Sequence, residues 1–469
     1  MKLNILKKDV NMLSGPIIPG ILTIALPIMV MNVLQSLFNT IDMTILSMFN
    51  PTTLPDAPTP VGAVGICGTL ISLITGLLIG ISSGANVVIA KHIGRGDKDR
   101  VEKAIGSSLL IALAGGIILL IVGVLFADVF LRWNNCKENL LPMASLYFRL
   151  YFVGVPILMI YNFCAAILRS SGDSKRPMLY LTLGGVVKVI LTYAFVAFFG
   201  MDVDGVAIAT IISWALSAAL TFIALLRNEG MTRINPKKLR FYKDEVKEIL
   251  FIGLPVGIQN ALWAVANVVI SATVNDIGND ATTGVSIANT YDGILYQIST
   301  APGIAVMPYV SQNIGAGNVK RAEKSVLCGM LITVILGGGF GALSAIFSGP
   351  LSALMSTSPT VIAYSQQKMV IISSTYFICG IYHIMGSALS GMRRPMVPTV
   401  ATFLFMCVLR FVWVYAVYPF VPNLTFLYLV WPIGWILSIA MELCFYFPTL
   451  KKLRHIHTHA EHGADKPAI

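Results

Sequence analysis

One stretch near the start of the chain aligns polar side chains along a helix that is otherwise apolar. Between Ile24 and Asp42, the polar residues Asn32, Gln35, Asn39 and Asp42 follow one another at intervals of three, four and three residues. This spacing places them on one face of a helix. A carboxylate and three carboxamides lose hydration when they are buried, so their alignment indicates a binding or ion-coupling role.

Further ionisable residues lie inside long apolar stretches. If those stretches cross a membrane, each charge near its centre costs on the order of 2.5–3.5 kcal/mol and suggests a function. The residues concerned are Asp42, Arg149, Lys188, Asp292, Lys368, Arg410 and Glu442. Arg149 and Lys368 lie near helix ends, which favours structural side chains that snorkel to the surface. Glu442 is as consistent with a structural pair between helices as with a function.

Asp42 and Lys188 are the pair to which we assign a function. At ~4 Å and an effective dielectric near 20, their attraction is about 4 kcal/mol, comparable to the penalty of burying one of them. A competing proton, cation or substrate would therefore break the pair readily. The alternative is a static bridge that holds two helices together.

The composition around these residues is that of a membrane protein. Of the 469 residues, 56% are hydrophobic and 12% are charged, whereas soluble domains carry about 25% charged residues. Apolar runs of about 20 residues, each long enough to cross a bilayer, recur from Ile17 to Pro448. They predict an all-α integral membrane protein with twelve transmembrane helices and no cleavable signal peptide.

The net charge of +11 does not indicate nucleic-acid binding, because Lys and Arg cluster in alternate connectors. The richest cluster lies between Arg227 and Lys247, and the intervening connectors carry mainly Asp. This positive-inside pattern predicts a multi-pass protein of the cell membrane with both termini in the cytoplasm.

The second half of the chain repeats the first in three collinear matches. They are residues 24–39 with 252–267, at an offset of 228, and residues 93–103 with 314–324 and 161–177 with 382–398, at an offset of 221. Six helices per half give both halves the same orientation, so the two predicted six-helix bundles are related by a pseudo-two-fold axis along the membrane normal. A cavity between such bundles can open to either side, which favours a transporter that works by alternating access.

The predicted domains follow this duplication. They are an N-lobe at residues 1–226, a cytoplasmic linker at 227–247, a C-lobe at 248–450 and a His-rich cytoplasmic tail at 451–469.

The polar groups have diverged between the two repeats. Arg410 stands nearly at the position of Lys188, but Ile270 stands where Asp42 would recur, and Ile71 matches Asp292. We expect the two lobes to divide their tasks. The candidate substrate-binding residues are Gln35, Asn39, Asn260, Asn267, Asp292 and Arg410.

Other kinds of chemistry have little support. The segments Gly94-Arg-Gly96 and Gly315-Ala-Gly317 follow no strand and lack the lysine of a phosphate loop, so they are predicted to stop helices. No Walker motif or Ser/His/Asp arrangement is present, so neither an ATP-driven pump nor an enzyme is expected. The cysteines are isolated and the tail histidines are interpreted as solvated, so no metal or cofactor is predicted.

Several segments together follow the pattern of a known family. They are Ala25-Leu-Pro27 with Asn39 and Asp42, Ile93–Gly96, Leu168–Asp173, Gly205–Thr210 and, most specifically, Gln312-Asn-Ile-Gly-Ala-Gly317. Through them nearly the whole chain resembles the multidrug and toxic compound extrusion (MATE) family, prokaryotic type. The resemblance implies twelve helices in two six-helix lobes and export of drug-like organic cations in exchange for H⁺ or Na⁺. We expect the protein to be a monomer in the lipid bilayer.

Within that resemblance, Asp42 matches the helix 1 carboxylate to which cation coupling is attributed, and Thr210 fits the threonine near it. The fifth predicted transmembrane helix departs from the family pattern. Lys188-Val-Ile-Leu-Thr192 stands there, where many prokaryotic members have Asn-x-x-x-Asp. A fixed ammonium would repel Na⁺, so we expect H⁺ as the coupling ion, with Na⁺ as the alternative. The predicted coupling residues are Asp42, Lys188, Thr192 and Thr210.

Two functions from different classes remain. The first is a proton-coupled exporter of amphipathic organic cations. The second is an exporter or flippase of anionic or lipid-linked metabolites, in which Lys188 and Arg410 form a basic cavity for phosphate or carboxylate. Pairing of these two cations with Asp42, Asp292 or Glu442 would argue against the second.

Overall fold

The computed structural model describes residues 10–49 and 59–461, and in that part of the chain it contains helices and turns but no strand. The first half forms α1 (Ile17–Phe49), α2 (Pro60–Gly94), α3 (Lys98–Leu125), α4 (Ala127–Trp133), α5 (Leu141–Ser170), α6 (Lys175–Ala197) and α7 (Val203–Leu226). The second half forms α8 (Lys243–Asn275), α9 (Asn279–Gly315), α10 (Val319–Ile346), α11 (Ser348–Ala353), α12 (Pro359–Ser374), α13 (Tyr376–Gly391), α14 (Met396–Thr402), α15 (Leu409–Val412), α16 (Leu424–Tyr428) and α17 (Val430–Glu461).

The long helices account for the predicted spans. Within the described residues, nine helices are long and apolar enough to cross a membrane, and α12 with α13 forms a further span bent by 46°. Helices α8 and α9, of 33 and 37 residues, bring the long segments to the predicted twelve. A helix satisfies its own backbone hydrogen bonds, which is why an apolar chain adopts this form in lipid. The predicted all-α membrane fold is confirmed.

The chain divides into two compact units. Among the described residues, unit 1 comprises Pro27–Ile89 and Asp97–Gly253, and unit 2 comprises Val10–Leu26, Ala90–Gly96 and the chain from Leu254 onward. The division assigns residues 227–247, the predicted linker, to unit 1.

Two helices are shared between the units. Helix α1 belongs to unit 2 up to Leu26 and to unit 1 from Pro27, and α8 leaves unit 1 after Gly253, two residues before Pro255. Pro27 and Pro255 correspond in the internal repeat. A proline inside a helix removes a backbone hydrogen bond and favours a kink, so each shared helix has its weakest point where it changes unit.

Small residues bring the helices of unit 1 together. Helix α5 packs against α3 and α7, and α6 packs against α7. A Cβ atom added to Gly116 of α3 would lie 2.5 Å from Cα of Pro156, and one added to Gly184 of α6 would lie 2.2 Å from the hydroxyl of Ser217. These glycines therefore set the distance between neighbouring helices, as small residues do in membrane bundles.

The segment before α8 is anchored to α3. Lys238 Nζ lies 2.5 Å from Asp99 Oδ1 and 3.0 Å from Glu102 Oε2. Its hydrogen bond to Asp99, and then its bond to Glu102, raise the pKa of Lys238. The hydroxyl of Ser107 donates to the carbonyl of Arg240 at 3.3 Å. This basic stretch is therefore part of unit 1, fastened by charge and by backbone contacts.

In unit 2, helix α9 packs against α10, α12 and α13, and α13 packs against α17. The ends of α2 and α9 also meet there. A Cβ on Gly94 would lie 2.0 Å from the carbonyl oxygen of Gln312, and one on Gly315 would lie 2.2 Å from that of Lys91. Both pairs are related by the offset of 221, so the two hairpins of the repeat contact each other symmetrically.

The predicted helix stops lie at these hairpins. Helix α2 ends at Gly94 and α9 ends at Gly315. Gly96 and Gly317 follow with φ of +70° and +82°, a conformation that favours glycine.

The last helix extends into the predicted tail. Helix α17 continues without a break through Lys451 to Glu461. The histidine at position 462 and the residues after it lie outside the described part of the chain.

Candidate functional site

An ion pair joins α1 and α6 in unit 1. Lys188 Nζ lies 2.5 Å from Asp42 Oδ2 and donates to Asn39 Oδ1 at 3.0 Å. Asp42 is 5% exposed, and within the described residues its other oxygen, Oδ1, has no hydrogen-bond partner. The predicted contact between Asp42 and Lys188 is present, and Asn39 of the polar stripe takes part in it.

A glycine on α6 makes this contact possible. A Cβ on Gly185 would lie 2.0 Å from the ring of Phe38, so α6 approaches α1 closely beside Asn39. Lys188 lies three residues after Gly185, which puts it on the same face of α6. The small residue and the charge therefore act together: one brings the helices close, and the other links them.

The remaining predicted residues of unit 1 have different surroundings. Thr192, one helical turn beyond Lys188, is fully buried, and its hydroxyl has no hydrogen-bond partner in the described part of the chain. Thr210 is also buried, but its hydroxyl donates to the Val206 carbonyl of its own helix at 2.8 Å. Gln35 is exposed. The structure thus brings together Asp42, Asn39 and Lys188.

A buried guanidinium in unit 2 lies against two tryptophan rings. Arg410 is 0% exposed, with Cζ 5.2 Å from the ring centre of Trp263 and 4.7 Å from that of Trp431. Its Nη1 donates to Asn267 Oδ1 at 2.6 Å. Nε and Nη2 have no acceptor among the described residues. Cation–π contact offsets part of the cost of burial, but two sets of donors remain open to a ligand.

The backbone around Arg410 is unusual. Helix α15 lies between two π-helical segments, Phe403–Val408 and Trp413–Val417. A π-helical turn holds one more residue than an α-helical turn and is frequent at functional sites. One additional residue explains why Arg410 lies 222 positions after Lys188, whereas the preceding match of the repeat has an offset of 221.

A second ion pair, in unit 2, was not foreseen. Lys368 Nζ of α12 lies 2.9 Å from Asp292 Oδ2 of α9 and also donates to Asn289 Oδ1. Lys368 is 3% exposed, so the prediction that it snorkels to the surface was wrong. The predicted substrate-binding residue Asp292 is bonded to this lysine. Asp292 Oδ1 has no partner in the part of the chain that is described.

The sequence did contain a signal for Asn289 and Lys368. The motif Asn-Thr-Xaa-Asp occurs at residues 39–42 and again at residues 289–292. It places an amide and a carboxylate three residues apart on one helical face. In both copies a lysine from another helix contacts both groups.

Three other predicted residues have different surroundings. Arg149 pairs with Asp128 at 2.9 Å, and both side chains are about half exposed. Glu442 is 0% exposed, and neither of its carboxyl oxygens has a hydrogen-bond partner in the described residues. The structural pair suggested for Glu442 is therefore not seen. Asn260 is partly buried.

This arrangement is suited to exchanging ions rather than to bond chemistry. In each ion pair the lysine ammonium binds one carboxylate oxygen and also donates to an asparagine side-chain oxygen. The second carboxylate oxygen has no hydrogen-bond partner in the described residues, so it is available to accept a proton. Protonation removes the attraction that holds the lysine. Such a site is thus suited to two states, a charged pair and a protonated carboxyl beside an ammonium.

Comparison with known proteins points to one family. The family model MatE matches residues 27–194 and 255–416, one block in each half of the chain. The probable multidrug resistance protein YoeA of Bacillus subtilis (strain 168) is 26% identical over 382 residues, which cover 80% of this chain and 81% of the relative. A protein of Shewanella oneidensis named FAD transporter is 25% identical over 328 residues, which cover 69% of this chain and 73% of the relative.

The fold is also found among solved structures. An outward-facing multidrug resistance MATE family transporter of the MOP superfamily aligns with a TM-score of 0.86. The alignment covers 96% of this chain and 99% of the other, at 19% sequence identity. At this identity the match shows a common fold.

Proposed function

Because this chain belongs to the MatE family of membrane transporters, we propose that it exports amphipathic organic cations in exchange for protons, with Asp42 and Lys188 as the coupling pair. The observation that carries the proposal is the 2.5 Å contact between Lys188 Nζ and Asp42 Oδ2, beside a second oxygen that has no partner in the described residues.

The proposed step is a protonation. A proton binds Asp42 at Oδ1, the carboxyl becomes neutral, and Lys188 keeps only its bond to Asn39. An ammonium without a counter-charge inside a membrane costs on the order of 2.5–3.5 kcal/mol. Helices α1 and α6 therefore lower their free energy by rearranging around Lys188. A bound organic cation is disfavoured by the same uncompensated ammonium, so proton entry and substrate release are linked.

The lysine also favours H⁺ over Na⁺. A sodium site requires several oxygen ligands and no cation beside them, whereas here the ammonium already lies against Asp42 and Asn39. Na⁺ would have to displace Lys188 and remain close to it. A proton needs only the free oxygen.

Alternating access is the proposed mode of transport. The division of α1 at Pro27 and of α8 near Pro255 supports it, because each helix belongs to both units and can bend where it changes unit. From the distribution of Lys and Arg we expect both termini to lie in the cytoplasm, with the protein in the cell membrane.

The test is counterflow of a fluorescent organic cation in proteoliposomes with an imposed pH gradient, with and without Na⁺. We expect uptake that is driven by the gradient, needs no Na⁺, and falls by about tenfold or more in Asp42→Asn and Lys188→Asn, as for a typical coupling energy. The matched control is Asp128→Asn, which breaks the half-exposed pair with Arg149 in the same unit. Full proton-driven exchange in Asp42→Asn would contradict the proposal.

A second candidate function is export of an anionic metabolite, and one observation favours it. Arg410 is buried, has open donors, and is not within ion-pair distance of a carboxylate among the described residues. The Trp263 ring lies against the Arg410 guanidinium and stacks with the ring of Tyr296, whose centre is 5.7 Å away. This aromatic surface would suit a planar anion. The relative named FAD transporter agrees with such a ligand. Lys188, however, is paired with Asp42, so only one of the two predicted cations is free for an anion.

Competition distinguishes the two candidates. If the substrate is an organic cation, anionic planar dyes and flavin nucleotides leave counterflow of the cation unchanged. Transport of a flavin nucleotide that is lost in Arg410→Met but kept in Lys188→Asn would establish the second candidate.

A further inference from the structure

We propose that Asp292 and Lys368, together with Asn289, form a second proton-binding ion pair in unit 2. The inference rests on the proposed proton exchange and adds a second coupling site to it. The cluster joins α9 to α12 and shares no residue or helix with the Asp42–Lys188 pair, which joins α1 to α6.

The two clusters share one design. In each, an asparagine and an aspartate lie three residues apart on one helix, and a lysine from another helix bridges the two. Lys368 contacts Asp292 and Asn289 as Lys188 contacts Asp42 and Asn39. In each, the second carboxylate oxygen has no partner in the part of the chain that the structure describes.

Duplication of the chain does not explain the second cluster. The two Asn-Thr-Xaa-Asp motifs are 250 residues apart, whereas the repeat has offsets of 221 and 228. The repeat position of Asp42 is occupied by Ile270, and that of Asp292 by Ile71. The same three side-chain types therefore arose on a different pair of helices, which points to a common requirement rather than to a common origin.

A purely structural role does not require the free oxygen. Burying an ion pair is rarely stabilising unless every remaining lone pair is satisfied. Asp292 Oδ1 is buried and has no hydrogen-bond partner among the described residues. The lysine of the pair is buried as well, because Lys368 is only 3% exposed to solvent. The free oxygen is where a proton binds.

The surroundings of the pair connect it to Arg410. The Lys368 ammonium lies 5.8 Å from the ring centre of Trp431, and the Arg410 guanidinium lies 4.7 Å from the same ring. When Asp292 is charged, it compensates Lys368. When Asp292 is protonated, two uncompensated cations face one indole. The region then becomes more positive, which disfavours a cationic ligand and favours an anionic one.

The other titratable groups facing Asp292 are neutral in their usual state. The hydroxyl of Tyr376 donates to the Asp292 main-chain carbonyl at 3.1 Å. The phenol of Tyr428 and the thiol of Cys379 are close enough for the Asp292 charge to act on them. Lys368 is thus the charged group in direct contact with the carboxylate, and protonation of Asp292 acts first on it.

The direct test is infrared difference spectroscopy of reconstituted protein during a step from high to low pH. Protonation of a buried carboxylate produces a carboxylic acid C=O band. In an Asp42→Asn background, we expect a band that disappears when Asp292→Asn is added. The control Asp280→Asn, at the exposed start of the same helix, leaves it unchanged. A band that Asp292→Asn does not alter would overturn the proposal.

A transport assay separates a proton switch from a static bridge. The double variant Asp292→Asn/Lys368→Gln removes both charges, so a static bridge predicts that it recovers the exchange lost in either single variant. The proposal predicts exchange that stays about tenfold or more below wild type in all three. If Asp42→Asn keeps full exchange, the proposed function is contradicted, whatever exchange the Asp292 variants show. If only the Asp292 variants keep it, the second site alone fails.

Discussion

Arg410 donates to Asn267 at 2.6 Å, as Lys188 donates to Asn39 at 3.0 Å in the first half of the chain. Asn267 and Asn39 are the same position of the internal repeat, and the two cations come from corresponding helices. What differs is the carboxylate: Asp42 completes the first site, and Ile270 stands in its place in the second. One cation is therefore neutralised, whereas the contacts of the other among the described residues are an amide and two indoles.

Replacing Arg410 by Met separates function from stability. A buried charge without a counter-ion is costly, and an apolar side chain of similar length removes that cost. We expect Arg410→Met to raise the unfolding free energy by ~1 kcal/mol or more and to lower transport. Thermal unfolding in detergent measures the first and counterflow the second. The control Arg410→Lys keeps the charge but loses the planar stacking on the tryptophans. A less stable Arg410→Met protein would show that Arg410 is a structural anchor.

The Asp42–Lys188 pair should show strong coupling in a double-mutant cycle. Removal of one partner leaves a buried charge and costs about 3–5 kcal/mol, whereas removal of both leaves two neutral groups. We expect Asp42→Asn/Lys188→Met to be more stable than either single variant but still without proton-driven exchange. Unfolding and counterflow of the four proteins complete the cycle. Recovered exchange in the double variant would mean that the pair only holds α1 and α6 together.

The hairpin contact of unit 2 should be sensitive to a single methyl group. A Cβ at Gly94 would lie 2.0 Å from the Gln312 carbonyl, and one at Gly315 would lie 2.2 Å from that of Lys91. Overpacking of this kind costs about 1–3 kcal/mol, so both Gly→Ala variants are expected to unfold at lower temperature.

The matched control for the hairpin is Gly293→Ala. Gly293 is also helical and in unit 2, but a Cβ there meets nothing within 4 Å. Alanine loses less conformational freedom than glycine when the helix forms, so that variant should be more stable by about 0.5–1 kcal/mol. Equal stability of the Gly94, Gly315 and Gly293 variants would contradict the close contact.

Two buried threonines of unit 1 should respond differently to removal of the hydroxyl. Thr192 has no hydrogen-bond partner in the described residues, so Thr192→Val should be neutral or more stable. Thr210 donates to Val206, and Thr210→Val should lose about 1 kcal/mol. Unfolding measures both. A drop in exchange for Thr192→Val at unchanged stability would assign the Thr192 hydroxyl to the path of the coupling ion.

The sequence alone determined the class of protein and its fold, and it predicted the contact between Asp42 and Lys188 that the structure contains. Apolar runs of bilayer length satisfy their backbone hydrogen bonds by forming helices. The distribution of basic residues predicts the orientation of these helices in the membrane. The repeat was visible because glycines and prolines at helix ends and crossings keep their spacing. Asp42 and Lys188 could be paired because an uncompensated charge is costly inside an apolar helix, so two opposite charges in neighbouring helices gain by meeting.

Tertiary structure decided which charges meet. The sequence left Lys368 near a helix end and Asp292 among the substrate-binding residues, because helical periodicity gives the face of a residue but not the neighbour that faces it. The bend between α12 and α13 and the packing of α12 on α9 bring the two side chains to 2.9 Å. In the same way, the π-helical turns before and after Arg410 set the face on which its guanidinium lies, and no pattern of residue types predicted them. Distances between helices depend on the packing of every residue along them. Only the folded chain could therefore show that Asp292 and Lys368 form a pair.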